Sequence, residues 1–515
     1  MNLKTFIQGF GTAIVILVLR IWPHLSSYHP VIYHSFLPMG NVIWGVLIDL
    51  GVFTLLAALL FHYLKKSETG VRTAVWAFVA ATLASSLVTA LAAMRRAPIP
   101  HLSPNTVYWV VLFAALLLRW ARPFAYRQGV RLMTSLLLLG GCSLVWMIPE
   151  LFYQALRAQP IDAHVPLMHE ARISNRIPLA HKGRIVWILF DELSYDQTFD
   201  HRFPGLALPA FDRFRRQSLV FSDLRPAGYY TDRVIPSFFL GRRVENIRSN
   251  LDGEPSVKLA GTQHWQPFDS RATIFFDAQR LGWTTGVVGW YNPYCRILAG
   301  TLNYCFWRMG DGQSDGALPD QPVWQNAMAP LVGLWRGLNH EPGLAQEKHA
   351  QDVASIMPQA EALIRDQSIE FAFIHLPVPH PPGVYNRSHA GSFGSYIDNL
   401  SLADQLLKDL MQTLNATSLA ATTTVIVCSD HSWRVPMWRS TGSWTKEDEV
   451  ASRGKFDPRP VLMIHSPGQQ SENDVTEPFD ELRIHEILET LLRGGEPPFT
   501  KNLAAGGLGS PVAAP

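Results

Sequence analysis

The sequence predicts a chain of two parts: an N-terminal region of five transmembrane helices, then an α/β domain with a mostly parallel sheet. Long apolar runs dominate the first 153 residues, whereas the sequence from about residue 184 onward has the composition of a soluble protein. In this second part, short continuous apolar runs alternate with amphipathic helical patterns, which is typical of parallel strands joined by crossover helices. The net charge of +2, without a basic stripe interleaved with aromatic residues, gives no indication of nucleic-acid binding.

Five apolar runs account for the N-terminal region, most of them near the length of about 20 residues that a bilayer requires. They cover residues 6–22, 41–64, 74–93, 107–118 with their flanks, and 132–152. The fourth run is the shortest, because Arg119 and Arg122 follow it. A removable signal peptide would explain the first run alone, so we expect a multi-pass membrane protein.

The distribution of Lys and Arg between the short loops predicts the orientation of this region. The loop at 24–40 has neither residue. The basic residues that fall on the other side are Lys4, Lys65, Lys66, Arg72, Arg119, Arg122, Arg127 and Arg131, and Arg95 and Arg96 are the exceptions. This pattern places the N-terminus in the cytoplasm, and five spans then place the α/β domain outside the plasma or inner membrane, in the periplasm or the extracellular space.

Arg20 and Asp49 are ionisable residues inside the predicted spans. Arg20 is near the end of its span, where its long side chain can reach the interface. Asp49 is deeper, and either a role in binding a polar lipid headgroup or a partnering charge would explain it.

Cys295 and Cys305 stand ten residues apart in a stretch that resembles a loop. In an oxidising compartment they could form a disulfide, and the alternative is two free thiols.

The soluble part divides into a linker at 154–183, a catalytic domain at 184–493 and a disordered tail at 494–515, which is rich in Gly, Pro and Ala. Strands are predicted at 184–190, 218–221, 284–290, 370–376, 423–428 and 460–465, and helices at 271–281, 351–366, 395–414 and 480–492. In such sheets the ligand binds beyond the carboxyl ends of the strands.

Carboxylate and imidazole side chains follow two of these strands. Asp191 and Glu192 follow the first, and Asp430 and His431 follow the strand at 423–428. Oxygen and nitrogen donors of this kind suit one divalent ion, with zinc, manganese and calcium left open. Glu192 is either a second ligand or an acid tolerated at the end of a strand.

Several motifs together resemble the alkaline phosphatase/sulfatase superfamily. Thr231 stands ten residues before Gly241 and eleven before Arg242, with a Pro-Ser pair between, as the nucleophile does in sulfatases. The other motifs follow in the family's order: Phe-Asp-Glu-Leu-Ser at 190–194, Phe-Ile-His-Leu-Pro-Val-Pro-His-Pro-Pro at 373–382, Ser-Tyr-Ile-Asp-Asn-Leu at 395–400, and Ser-Asp-His-Ser at 429–432. The resemblance covers about 184–492 and implies an alkaline-phosphatase-like fold.

The resemblance also implies roles for individual residues. Asp191, Thr231, Asp430 and His431 would bind the metal, and Thr231 would be the nucleophile, although Thr is also a common helix N-cap. His380 would stabilise charge or protonate the leaving oxygen. For His375, His465 and His485 a packing role is favoured. The Arg that sulfatases have four residues after the nucleophile is replaced by Ile235, so Arg233, Arg242 and Lys455 are the candidates for binding the substrate anion.

Threonine distinguishes between branches of the superfamily. Sulfatases need an aldehyde made from Cys or Ser, whereas the lipoteichoic-acid-synthase and phosphoethanolamine-transferase branches use a hydroxyl directly and have the same arrangement of five spans and an outer domain. We therefore predict a metal-dependent phospho-group transferase of the cell envelope, with a lipid-linked donor and an envelope glycan or phospholipid as partners. The alternatives are a hydrolase of phosphodiesters, phosphonates or sulfate esters, and a catalytically inactive binding protein.

Overall fold

The computed structural model describes residues 2–95, 103–158, 183–310, 321–338, 344–388 and 393–497. The α-helices are α1 (Leu3–Ile16), α2 (Val18–Leu25), α3 (Pro30–His34), α4 (Gly40–Leu64), α5 (Thr69–Arg95), α6 (Pro104–Ala121), α7 (Pro123–Gly141), α8 (Leu144–Arg157), α9 (Pro209–Arg215), α10 (Thr231–Leu240), α11 (Ile274–Arg280), α12 (Tyr294–Ile297), α13 (Val323–Leu338), α14 (Leu344–Arg365), α15 (Tyr396–Asn415), α16 (Val435–Trp438), α17 (Lys446–Ser452) and α18 (Ile484–Leu492). The strands are β1 (Arg184–Phe190), β2 (Leu219–Phe221), β3 (Leu224–Arg225), β4 (Val244–Ser249), β5 (Pro255–Leu259), β6 (Gln266–Pro267), β7 (Thr285–Trp290), β8 (Tyr304–Arg308), β9 (Phe371–Leu376), β10 (Thr423–Ser429), β11 (Leu462–His465), β12 (Asn473–Val475) and β13 (Phe479–Asp480).

The chain divides into two compact units. Unit 1 comprises Met1–Ile161, Ser249–Gly253 and Gln313–Glu341, and unit 2 comprises the rest of the chain. Most of the linker predicted at 154–183 and of the tail predicted at 494–515 lies outside the described residues.

Unit 1 contains the apolar helices. Within the described residues, three helices are long and apolar enough to cross a membrane by themselves: Gly40–Leu64, Thr69–Leu91 and Pro104–Ala121. The pair α1 and α2 is bent by 86° and the pair α7 and α8 by 42°, so the count rises to five if each bent pair is one span. Three to five spans are therefore supported, and the first predicted span is a strongly broken helix.

Glycines allow the helices of unit 1 to approach closely. A Cβ atom on Gly11 of α1 would lie 2.0 Å from the carbonyl oxygen of Leu137, and a Cβ on Gly141 of α7 would lie 1.9 Å from that of Ile7. Small residues at such crossings are typical of packing between membrane helices.

An eight-stranded sheet in the order β12-β2-β11-β10-β1-β9-β7-β8 forms the centre of unit 2. β1 pairs in parallel with β10 and β9, and β9 pairs in parallel with β7. β11 runs antiparallel to both of its neighbours. Every residue of β1 is buried, as its continuous apolar run predicts for a central parallel strand. The α/β class with mostly parallel strands is confirmed.

Unit 2 contains a small second sheet and a disulfide. A separate three-stranded sheet, β4-β5-β6, was not predicted, and its strands are short and polar in part. Cys295 and Cys305 form a disulfide that connects α12 to β8, which decides between the two alternatives left open by the sequence.

Candidate active site

The carboxyl ends of β1 and β10 bring the first two site residues together. Phe190 and Ser429 are the last residues of these strands and are in register. Asp191 and Asp430 follow them directly, and both are fully buried. The hydroxyl of Ser429 accepts a hydrogen bond from the backbone N–H of Leu193 (2.8 Å), which ties the two strand ends to each other. The parallel pairing therefore places two carboxylates side by side.

Thr231 is the first residue of α10, and its side chain faces these carboxylates. Its hydroxyl donates to Oδ2 of Asp191 (3.3 Å) and lies 3.2 Å from Nε2 of His431. The N-cap of α10 is Tyr230, with no side-chain capping bond. The alternative of Thr231 as the N-cap was wrong, because its hydroxyl does not cap the helix and instead faces Asp191 and His431.

His431 presents its Nε2 atom to the same point. Nδ1 lies 3.1 Å from the carbonyl oxygen of Ser432, which can only accept a hydrogen bond, so Nδ1 carries a proton. Nε2 lies 3.0 Å from Oδ2 of Asp430. Burial would lower the pKa of His431, but the Asp430 carboxylate raises it. The ring either takes a second proton here or offers a lone pair to a cation.

The carboxylates themselves need a compensating positive charge. Burial, and then the neighbouring Asp430, hold the pKa of Asp191 well above its usual range. Burial would also raise the pKa of Asp430, but His431 lowers it below the ordinary value. Oδ1 of Asp191 has no hydrogen-bond partner among the described residues.

These donors fit a divalent metal ion. One ligand atom from each of Asp191, Asp430 and His431 lies within 4.8 Å of the others, and all three residues are buried. Unpaired buried carboxylates are costly, and a cation bound by oxygen and imidazole donors removes that cost. The hydroxyl of Thr231 is adjacent and could be the fourth donor.

Glu192 has other partners. Its backbone lies in the left-handed region, with φ 65°, and its side chain is fully buried. Its carboxylate accepts hydrogen bonds from Nε of Arg434 (2.5 Å) and from the indole N–H of Trp438 (2.9 Å). Asp191, Glu192 and His380 form a second group that could hold an ion by distance alone. Because Arg434 already neutralises Glu192, we favour the group of Asp191, Asp430 and His431.

Arg434 was not among the residues predicted from the sequence. It is buried, forms an ion pair with Glu192, and its guanidinium carbon lies 5.8 Å from the centre of the Tyr229 ring. Burial would lower the pKa of Arg434, but Glu192 and Asp191 raise it, so the guanidinium is always charged. Its position three residues after His431 is the feature of the sequence that could have identified it as a site residue.

His380 lies at the edge of this group, with Nε2 3.9 Å from Oε1 of Glu192. The rings of Trp290 and Trp438 enclose it, with centroids 5.0 and 5.1 Å away. Burial and the nearby Arg434 hold the pKa of His380 well below its ordinary value. The ring is therefore neutral and offers one N–H.

His375, for which a packing role was favoured, also contacts the site. Nε2 lies 3.2 Å from Oδ2 of Asp191, and Nδ1 lies 2.6 Å from the Tyr294 hydroxyl. Burial lowers the pKa of His375 to about 4, so the ring is neutral. A neutral ring can donate from Nε2 to Asp191 and accept from Tyr294, which orients the carboxylate.

The three candidates for binding the substrate anion occupy different places. Arg233 is partly buried in the first turn of α10, with its guanidinium 4.5 Å from the centre of the Tyr230 ring. Arg242 is exposed beyond the other end of α10, about 15 Å from Thr231 by the rise of the helix. Lys455 is exposed and precedes Phe456, whose ring contacts that of Tyr229.

The other residues named from the sequence are structural. Nδ1 of His465 bonds the carbonyl oxygen of Gln217 (2.6 Å), and Nδ1 of His485 bonds that of Phe238 (2.8 Å). Ile235, at the position where sulfatases have Arg, is fully buried in the core.

The model of the sulfatase family matches residues 184–492. The chain belongs to the sulfatase family. This stretch contains every residue of the buried group described above, and it makes the protein a sulfatase-like hydrolase or transferase of the alkaline phosphatase/sulfatase superfamily. A search among curated proteins found no match.

Solved structures of the superfamily are similar at low identity. The PsFucS1 sulfatase from Pseudoalteromonas sp. is 13% identical over 61% of this chain and 68% of its own, with a TM-score of 0.42. The phosphonate monoester hydrolase of Agrobacterium radiobacter is 14% identical over 62% and 78%, with a TM-score of 0.37. The lipoteichoic acid synthase LtaP from Listeria monocytogenes is 12% identical over 61% and 72%, with a TM-score of 0.37.

Proposed function

We propose that this protein is a metal-dependent phospho-group transferase of the cell envelope that uses Thr231 as a covalent nucleophile. The observation that carries the proposal is the position of the Thr231 hydroxyl, at the start of α10 and within 3.3 Å of both Asp191 and His431. A hydroxyl is the nucleophile that phosphoryl transfer uses directly.

Asp191, Asp430 and His431, with the hydroxyl of Thr231, would hold the metal ion. When bound, a divalent cation lowers the pKa of a neighbouring hydroxyl and neutralises charge on phosphoryl oxygens. His375 holds Asp191 in place through its hydrogen bond of 3.2 Å.

In the first half of the reaction, Oγ1 of Thr231, which lies 3.3 Å from Oδ2 of Asp191, releases its proton to water. Oγ1 then forms a bond to phosphorus while the bond from phosphorus to the donor's leaving oxygen breaks. The N-terminus of α10 favours the anionic group at this point.

Arg434 and His380 contribute from the other side of the site. Arg434 is charged and next to the substrate space, so it attracts the anionic donor. His380 is neutral, which favours hydrogen bonding to the leaving oxygen over full transfer of a proton. The leaving oxygen takes up a proton from water as it departs. In the second half, an acceptor hydroxyl forms a bond to phosphorus and loses its proton to water, the bond to Oγ1 breaks, and Oγ1 recovers a proton from water.

Phosphoryl transfer is preferred to sulfate ester hydrolysis because Thr231 cannot be converted to the aldehyde that sulfatases use. The three to five apolar helices of unit 1 support an enzyme anchored in a membrane. The distribution of Lys and Arg in the sequence favours the plasma or inner membrane with this domain outside. Membrane lipids would supply the donor, and an envelope glycan or phospholipid would be the acceptor.

The test is a transfer assay with the full chain in detergent, zinc or manganese, and a total phospholipid extract labelled with ³²P. Wild type should move label to an added glycolipid or lipid acceptor, and Thr231→Ala should not. Turnover of small soluble monoesters without any use of lipid would favour the hydrolase alternative. Absence of both activities, in protein that binds no metal, would favour the inactive binding protein.

A further inference from the structure

Helix α13 belongs to unit 1, although it lies within the sulfatase region of the sequence. Residues 184–492 match the sulfatase family, yet Gln313–Glu341 within them belong to unit 1 with the apolar helices. The nearest described residues outside this segment, Gly310 before it and Leu344 after it, belong to unit 2. One segment of the sulfatase region therefore belongs to unit 1, while the rest of that region is almost entirely in unit 2.

One face of α13 is fitted closely to α4. Asn326 is fully buried and Ala329 is nearly so. A Cβ on Gly45 of α4 would lie 2.8 Å from Cβ of Asn326 and 3.0 Å from the backbone nitrogen of Ala327. A glycine is therefore required for the two backbones to approach as they do.

A hydrogen bond to the helix backbone fixes the same face. Pro330 has no N–H, so the carbonyl of Asn326, four residues earlier, lacks its partner within the helix. Nη2 of Arg20 donates to this oxygen at 2.9 Å, and Nη1 of Arg20 pairs with Asp49 of α4. The side-chain amide of Asn41 also donates to the carbonyl of Gln321 at 3.1 Å. The contact is specific, and it gives Arg20 and Asp49 a structural role.

The opposite face of α13 is apolar and exposed. Trp324 and Trp335 are each 64% exposed, and the residues that complete the stripe between them are Met328, Leu331 and Val332. Their spacing of three, four, seven and eight places them on one side of a helix. The sequence from Gln321 to Trp335 contains no Asp, Glu, Lys or Arg. An uncharged stripe of this size is unusual on a surface that faces water.

We infer that α13 lies in the membrane interface and that its stripe contacts lipid acyl chains. Helix α13 packs on α4, which has exposed apolar residues of its own, such as Val52 and Leu55. Tryptophan at both ends of a helix is typical of the interface. This inference rests on α4 being a membrane span, but not on the chemistry of Thr231.

Helix α13 is too short to cross the hydrocarbon core of a membrane. Sixteen residues extend about 24 Å, which is shorter than the hydrocarbon core of about 30 Å. The helix adds a lipid contact to those of the N-terminal helices, and this contact comes from a segment within the sulfatase region of the sequence.

The experiment uses single cysteines in the full chain, in which the exposed Cys142 is replaced by Ser. Leu331→Cys, Leu55→Cys and Lys408→Cys are labelled with a bimane dye and reconstituted in phosphatidylcholine vesicles that contain lipids with a nitroxide on the acyl chain. Leu55 is exposed on α4, and Lys408 is exposed on α15. We expect the nitroxide lipids to quench the dye at 331 and at 55 several-fold more than the dye at 408.

Two results would overturn the inference, one by showing that α13 is not in lipid and the other by showing that α4 is not a membrane span. Quenching at 55 but not at 331 would show that α4 is in lipid and α13 is not, and cross-linking between two 331 cysteines would then identify a second copy as the partner. No quenching at 55 in protein that retains phospho-transfer would show that α4 is not a membrane span. Activity measured on each labelled variant keeps the proposed chemistry as a separate question.

Discussion

The two units each bury charged side chains, but they balance those charges differently. In unit 1, one guanidinium, Arg20, meets one carboxylate, Asp49, and both are buried. At the candidate site of unit 2, the buried carboxylates of Asp191, Glu192 and Asp430 meet the guanidinium of Arg434. When the nearby histidines are neutral, this group of four residues has a net charge of minus two, which a divalent cation would balance.

This comparison separates a structural ion pair from a binding site. A balanced buried pair is complete without any ligand, although breaking it is costly. Burial, and then the neighbouring Asp430, raise the pKa of Asp191, and the Asp430 carboxylate raises that of His431, so the group can hold protons when no cation is bound. Crowded, undercompensated charge is typical of sites that perform chemistry.

The largest effect is expected from Asp430→Asn, which removes one of the unbalanced charges without changing the shape of the side chain. Bound divalent metal and transfer activity should fall by more than about 100-fold, because an amide is a weaker ligand than a carboxylate. Elemental analysis of the purified protein and the transfer assay measure these losses.

Chelation supplies the control for that variant. A chelator should lower the unfolding temperature of wild type, since the metal binds the folded state, and should leave that of Asp430→Asn unchanged. Equal metal content in the two proteins would show that the carboxylate is not a ligand.

In unit 1, we expect removal of one partner to be severe and removal of both to be mild. Arg20→Met removes the guanidinium that pairs with the buried Asp49 and should reduce the free energy of unfolding by about 3–5 kcal/mol. Arg20→Met with Asp49→Leu should recover most of that loss, apart from the hydrogen bond to Asn326. Thermal unfolding in detergent compares the three proteins, and equal stability of the single and double variants would show that the pair is not balanced as described.

Glu192→Gln tests which acids of unit 2 bind metal. Because Glu192 is paired with Arg434, this change should leave metal content nearly as in wild type and lower activity by about 10-fold, as the loss of a supporting charge does. Loss of metal equal to that of Asp430→Asn would instead make Glu192 a ligand.

The smallest effect is expected from Tyr294→Phe, which removes the hydrogen bond to His375. One hydrogen bond is worth about 1 kcal/mol, so activity should fall by no more than about 10-fold with the metal retained. Tyr304→Phe is the matched control, since its hydroxyl bonds Gln359 at 2.6 Å instead. An equal loss in both variants would assign the effect to stability.

The sequence predicted the parts of the site that depend on strand ends. Asp191 and Asp430 could be placed together because the apolar runs before them read as parallel strands, and Thr231 could be placed near them through the spacing of a family motif. The ion pair of Glu192 with Arg434 could not, because 242 residues separate the partners and the sequence near either one does not specify the other.

The fold shows the same division. The α/β class followed from local patterns, whereas the antiparallel direction of β11 depends on how the chain returns to the sheet. Helix α13 is apolar enough to be noticed, but its place in unit 1 depends on Gly45 and Pro330, whose effects appear only when α4 and α13 meet.

The most direct test of the catalytic group is intact mass spectrometry of the full chain after incubation with phospholipid and zinc or manganese, followed by peptide mapping. Wild type should gain the mass of one phospho-group, located on Thr231, and Thr231→Ala should gain none. An adduct that persists in Thr231→Ala, or one that maps to another residue, would contradict the assignment of Thr231 as the nucleophile.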